Sequence, residues 1–315
     1  LLIYTFLFGF PFFVFSIDFK KVNPKEFKLF PHFKETLVYF IPTIAISIYH
    51  VLDKTLIGVI TKDSFQNGYY EEANKIVNLI KSLSFTSVTA VLGARNAYLY
   101  QEQKYDEIKT KISKALDVIL FMTIGACFGL IGVAKNFIPF FLGDKFGPTI
   151  LLLQLLSPTL LIIGISVTMN DLYYIPAGLR KISCFFEVSG AIVNLIFNLI
   201  LIPRLQSEGA VIGTLIAESV IALLYISFSK GFITFKKLLN LSWKKLIAAT
   251  LMLITINLID MIPISKVYLF FLQVFIGATT YIVLLLLFRD KFLLENGVKL
   301  FNKLIKHKKN EEILN

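Results

Sequence analysis

Four charged residues stand in stretches otherwise almost wholly apolar. Asp53 and Lys54 fall within YHVLDKTLIG, and Lys81 and Arg95 within IKSLSFTSVTAVLGARNAY. Charge at bilayer depth is costly and is kept where it faces a bundle interior or a water-filled cavity. Lys81 and Arg95 lie roughly four helical turns apart, on the order of 21 Å along the axis, and on nearly one face, with Ser84 and Ser87 between them. A Ser/Thr-rich stripe with a cation towards each end reads as a cavity wall for an anionic group. The competing reading is that both side chains snorkel to the membrane boundaries, Arg95 being about a turn from its helix end. Asp53 is expected to pair with one of these cations and leave a net positive charge.

Other polar residues within apolar runs suggest packing. Asn194 and Asn198, one turn apart in VNLIFNLIL, fit hydrogen bonding across helices, and Gly209 and Gly213 in GAVIG fit a close helix–helix approach. Glu187, Glu218, Asp117 and Lys135 read as interfacial residues or helix–helix ion pairs, with a proton relay as the alternative. Pro42, Pro139 and Pro158 are candidate kinks. His50 has no neighbouring His or Cys to make a metal site, and Cys127 and Cys184 lack zinc or iron–sulfur spacing. Neither a nucleophile elbow, a P-loop, HExxH nor a dinucleotide glycine pattern is found. The sequence therefore reads as a transporter-like body, with no enzyme activity and no cofactor expected.

The elements that must position these residues are membrane spans. Of 315 residues 56% are hydrophobic and 17% charged, and the mean hydropathy is +0.72. An ordinary soluble chain is about 45–50% apolar and about 25% charged, and a spanning helix takes about 20 apolar residues. Nine stretches qualify: 1–17, 37–60, 76–99, 116–142, 149–169, 182–203, 209–228, 246–262 and 267–288. Open strands cannot satisfy their backbone in lipid, so the expected class is an all-α membrane protein.

The formal charge is +11, but the cations sit in the gaps between spans, which fits an anionic leaflet and excludes a nucleic-acid groove. With the first segment running inward, the cytoplasmic gaps hold 23 Lys/Arg and the opposite gaps five. The positive-inside rule then places the C-terminus in the cytoplasm, with a basic tail at 289–315 that reads either as an amphipathic helix or as a solvated segment. Leu1 is not an initiator Met, and the sequence is read as a piece of a longer polypeptide, without a signal peptide.

Two blocks carry a family resemblance. LDKTLIGVITKDSFQNGYYEEANKI (52–76), together with VTAVLGARNAYLY, resembles the first helices of the second bundle of bacterial polysaccharide repeat-unit flippases, with Ala94 where those proteins usually show Pro. GAIVNLIFNLILIPRLQSEGAVIGTLIAE (190–218) resembles their paired-helix signature, with Gln206 where Gly is common. These proteins belong to the multidrug/oligosaccharidyl-lipid/polysaccharide exporter superfamily.

The resemblance implies two six-helix bundles. Residues 1–17 would be the last helix of the first bundle and 18–36 a cytoplasmic linker. The second bundle would run over 37–228, with two appended helices over 229–288. It implies translocation of an undecaprenyl-diphosphate-linked oligosaccharide across the bacterial cytoplasmic membrane, by alternating access through a cationic cavity. Lys81, Arg95 and Lys54 become candidate headgroup contacts, Asp53 their charge partner and Ser84 part of the wall. Asn194, Asn198, Gly209, Gly213 and Glu218 form the polar and packing core. Implied partners are the lipid-linked oligosaccharide, membrane lipids, and a polysaccharide polymerase with its chain-length regulator. The alternatives are a lipid II-type flippase, a cation-coupled multidrug exporter, and a membrane-embedded polymerase or ligase.

Overall fold

The computed structural model describes residues 51–294, without the side chains of Thr86, Ser87, Ala90 and Val91. The expected span 1–17, the linker 18–36, Pro42, His50 and the tail beyond residue 294 lie outside the described residues. The described residues belong to one compact unit.

All regular structure among the described residues is helical. Residues 51–61 form the described part of α1. α2 is Ser64–Gln101 and α3 Tyr105–Phe141; α4, Gly147–Leu156, and α5, Thr159–Met169, follow a short 3-10 turn at Asp144–Phe146. A π-helical turn, Asn170–Tyr174, closes α5. α6 is Arg180–Ser227, α7 Phe235–Ile259 and α8 Lys266–Leu287.

The connections are shorter than the hydropathy gaps suggest. Residues 64–75, expected in an outward loop, are helical: Asp63 caps α2 by accepting from the Phe65 N–H at 2.8 Å. Lys75 pairs with Glu71 and Glu72 along the first turns, while Lys54 Nζ reaches Glu71 at 2.9 Å and ties α1 to α2. These polar turns lower the hydropathy without breaking the helix.

Among the described residues, the helices long and apolar enough to cross a membrane include α3, α6, α7 and α8. The bent pair Asp144–Leu156 and Thr159–Tyr174 makes a fifth, its arms at 44° across Ser157 and Pro158.

α6 is two helices joined end to end. Gln206 sits at φ 53°, ψ −130°, a backbone conformation that glycine adopts easily and other residues only under strain. The chain reverses there. A Cβ on Gly209 would lie 2.6 Å from the Leu201 carbonyl, and one on Gly213 would press on Asn198 Oδ1. Further along, Gly190 lies against Ile221. The two arms thus run antiparallel and touch through glycines.

Two apolar cores result. One joins Ile57, Tyr70, Val77, Leu152 and Val211 from α1, α2, α4 and α6. The other packs α3 against α6, α7 and α8 through Leu116, Tyr174, Tyr225, Met252 and Tyr281. On the outside large apolar side chains stay uncovered, Phe275 at 71% and Leu287 at 70% exposure, as a lipid-facing surface allows.

Candidate functional site

Two neighbouring polar features interrupt this apolar body. The first surrounds Asp53, whose carboxylate is buried at 4% exposure. The Tyr70 hydroxyl donates to its Oδ2 at 2.8 Å and the Thr214 hydroxyl to the same oxygen at 3.0 Å. Asn198 Nδ2 donates to Oδ1 at 2.6 Å and to Asn194 Oδ1 at 2.9 Å. α1, α2 and both arms of α6 therefore converge on one carboxylate.

The expected pairing of Asp53 with a cation is corrected here. Among the described residues its partners are neutral donors, and Lys54, one position on, turns to Glu71. Helix geometry accounts for this: adjacent residues point about 100° apart, so one faces the bundle and the other its rim. Asn198 Oδ1 is buried without a partner. The cluster offers oxygens, not thiols or imidazoles, which is the chemistry of a proton or a hard cation and not of zinc. No group of three or more His, Cys, Asp or Glu able to hold a metal occurs among the described residues.

The second feature is a cavity of about 530 Å³ between α2, α5 with its π turn, and both arms of α6. α2 contributes Asn78, Lys81, Ser82 and Thr89, the π turn Asn170 and Asp171, and the α6 arms Glu187, Glu218 and Tyr225. The Tyr225 hydroxyl donates to Glu187 Oε1 at 3.1 Å and lies 2.8 Å from Ser183 Oγ, which donates to Asn170 Oδ1 at 2.5 Å. Asn170 Nδ2 in turn donates to Asp171 Oδ1 at 3.1 Å. A continuous polar seam thus links the two carboxylates. Glu218 lies within electrostatic reach of both Lys81 and Tyr70, connecting the cavity to the Asp53 cluster.

The sequence candidates separate accordingly. Lys81 lines the cavity. Arg95 does not: it is exposed near the end of α2, where its charge acts on Glu107 of α3, as a snorkelling residue would. Ser84 is buried, and its neighbours Ser82 and Phe85 are the ones on the cavity wall. Asn194, Asn198, Gly209 and Gly213 meet in the α6 hairpin beside Asp53.

The charge balance of the wall departs from the positively biased passage expected. Lys81 is the one cation among its described lining residues, facing Asp171, Glu187 and Glu218. Reading α2 alone gave weight to its cations, whereas the carboxylates come from helices distant in sequence. Asp171 was missed because its segment reads as a cytoplasmic gap. Tyr70 and Thr214 were missed because a single hydroxyl in an apolar run carries no signal until its partner is known.

Further ion pairs lock helices together, one set buried around Lys245 and one exposed at Lys135. Lys245 Nζ, 1% exposed, reaches Asp117 at 2.6 Å and Asp290 at 3.0 Å, joining α7 to α3 and to the segment after α8. Lys135 Nζ meets Asp260 at 2.6 Å, and Asn136 donates to Asp260 and to Gln273.

Long apolar helices, with small residues at their crossings, define an all-helical, multi-pass membrane protein. Residues 7–151 match the family model described as polysaccharide biosynthesis protein, a range that takes in the first of the two resembling blocks but not 190–218. Among solved structures the chain is similar to the lipid II flippase MurJ in its inward closed conformation, with a TM-score of 0.70 and 23% sequence identity over 89% of this chain. The chain spans 59% of that protein's length, and the likeness establishes the fold. No curated protein sequence matches this chain.

Proposed function

We propose that this chain is the second-bundle portion of a flippase that carries an undecaprenyl-diphosphate-linked oligosaccharide from the inner to the outer leaflet for surface polysaccharide assembly. The observation that carries this reading is a polar cavity enclosed by membrane helices in a fold shared with a lipid flippase. A polyprenyl tail can remain in lipid, so only the headgroup needs such a cavity. Lys81 supplies the cation facing the diphosphate in a setting of low dielectric, where fixed charge substitutes for water. Asp171, Glu187 and Glu218 are acceptors for sugar hydroxyls. Rocking of one bundle against another would open the cavity to alternate sides. A polysaccharide polymerase and chain-length regulator are the partners this pathway supplies. The arrangement of spans, with a cytoplasmic C-terminus and 229–288 as an appended pair, belongs to the same proposal.

In a strain depending on this protein for surface polysaccharide, Lys81→Ala should leave membrane levels intact and strand lipid-linked repeat units in the inner leaflet. Arg95→Ala, outside the cavity, should leave polysaccharide normal. Normal polysaccharide from Lys81→Ala would remove the cavity from the pathway. The three carboxylates favour one second reading, a cation-coupled exporter of cationic drugs, which resistance of an expressing strain to cationic dyes would support.

A further inference from the structure

The first turns of α7 present an unusual outer face. Phe235, Leu239 and Trp243, at i, i+4 and i+8, are 56%, 62% and 46% exposed, while Leu238 and Lys245 on the other side are buried. The apolar stripe continues along α7 through exposed Ile247 and Leu251, without a break between the basic turns and the membrane-depth turns. At about 100° per residue, Lys236 and Lys244 border this stripe, while Lys237 lies further round, towards Lys109 of α3.

Among the described residues no carboxylate pairs with Lys230, Lys236, Lys237 or Lys244, whereas Lys245 next to them has two. Lys244 Nζ lies 5.6 Å from the Trp243 ring centroid and donates to the Arg289 carbonyl at 3.0 Å. Lys109 of α3, 5.4 Å from the Phe232 ring, is close enough to Lys237 for the two ammonium groups to repel. Uncovered apolar side chains beside unpaired lysines, continuous with a lipid-facing helix surface, match a molecule with an anionic head and a hydrocarbon tail. A folded protein partner would need carboxylates for the lysines and would interrupt the stripe before membrane depth.

We infer that the start of α7 is a docking surface for an anionic phospholipid, its phosphate near Lys236 and Lys244 and an acyl chain along Leu239, Trp243 and Ile247. This surface lies outside the cavity and does not depend on what the cavity carries.

Trp243 is the one tryptophan of the sequence, so its fluorescence reports this site without labelling. The full chain is reconstituted in vesicles containing a fixed mole fraction of brominated phosphatidylglycerol or of brominated phosphatidylcholine, and quenching is compared. The expected result is roughly fivefold tighter occupancy by the anionic lipid, about what one lysine near the surface supplies. That preference should shrink as salt is raised. It should vanish in Lys236→Gln/Lys237→Gln/Lys244→Gln, where zwitterionic quenching persists and shows the chain still inserted. Equal quenching by the two lipids, quenching by neither, or a preference unchanged in the triple variant would each overturn the assignment.

Discussion

Asp53 shows how a carboxyl group is held inside an apolar bundle by neutral donors among the described residues. Three neutral donors from two helices hold its carboxylate. Removing one of them leaves a buried acceptor short of a partner, at a cost of about 1–3 kcal/mol. Asn198→Ala should therefore lower thermal stability in detergent by that amount, while Ser84→Ala, which the described hydrogen bonds do not involve, should change it little; equal effects would contradict the cluster. Asp53, Lys81, Asn194 and Asn198 were legible in the sequence because a polar residue in an apolar run stands out. Their partners were not. Tyr70, Asp171 and Thr214 gain meaning only from helices brought together over long sequence separations, and the pairing of Lys54 with Glu71 needed residues 64–75 to be helix instead of loop.

At the scale of elements, the α6 hairpin holds a departure from the pattern of the proteins that the sequence resembles. Gln206 stands where the resembling proteins often have Gly, and the structure puts a positive φ at that position. Gln206→Gly should stabilise the chain by about 1 kcal/mol by relieving the strained backbone. Gly209→Ala should do the opposite: its Cβ would press on the backbone of Leu201 across the hairpin, costing about 1–3 kcal/mol. Unfolding midpoints of the two variants should move in opposite directions, and a neutral Gly209→Ala would contradict the close approach. The small-residue spacing made this contact foreseeable. The reversal was foreseeable too, since the largely polar stretch 204–208 separates the expected spans 182–203 and 209–228.

At the scale of the whole molecule, α7 and α8 are fastened to α3 by polar locks at separate points, Lys245 with Asp117 and Asp290, and Lys135 with Asp260. Breaking a buried pair by removing one partner costs about 3–5 kcal/mol because charge is left without compensation. Lys245→Met should destabilise the chain by that order, and Asp290→Asn added to it should restore part of the loss; a thermal-shift series checks both. The ion-pair reading of Asp117 and Lys135 was available from sequence, but their partners were not.

The claim that matters most is that α2, α5 and α6 enclose water, not lipid, beside Lys81. With Cys127 and Cys184 replaced, Ser82→Cys places a thiol on the cavity wall and Phe275→Cys one on the outer apolar face. In reconstituted membranes a water-soluble thiosulfonate should modify Ser82→Cys readily and Phe275→Cys slowly, and an added polyprenyl-diphosphate oligosaccharide should protect only the first. Modification of Ser82→Cys as slow as that of Phe275→Cys would contradict an aqueous cavity at this site.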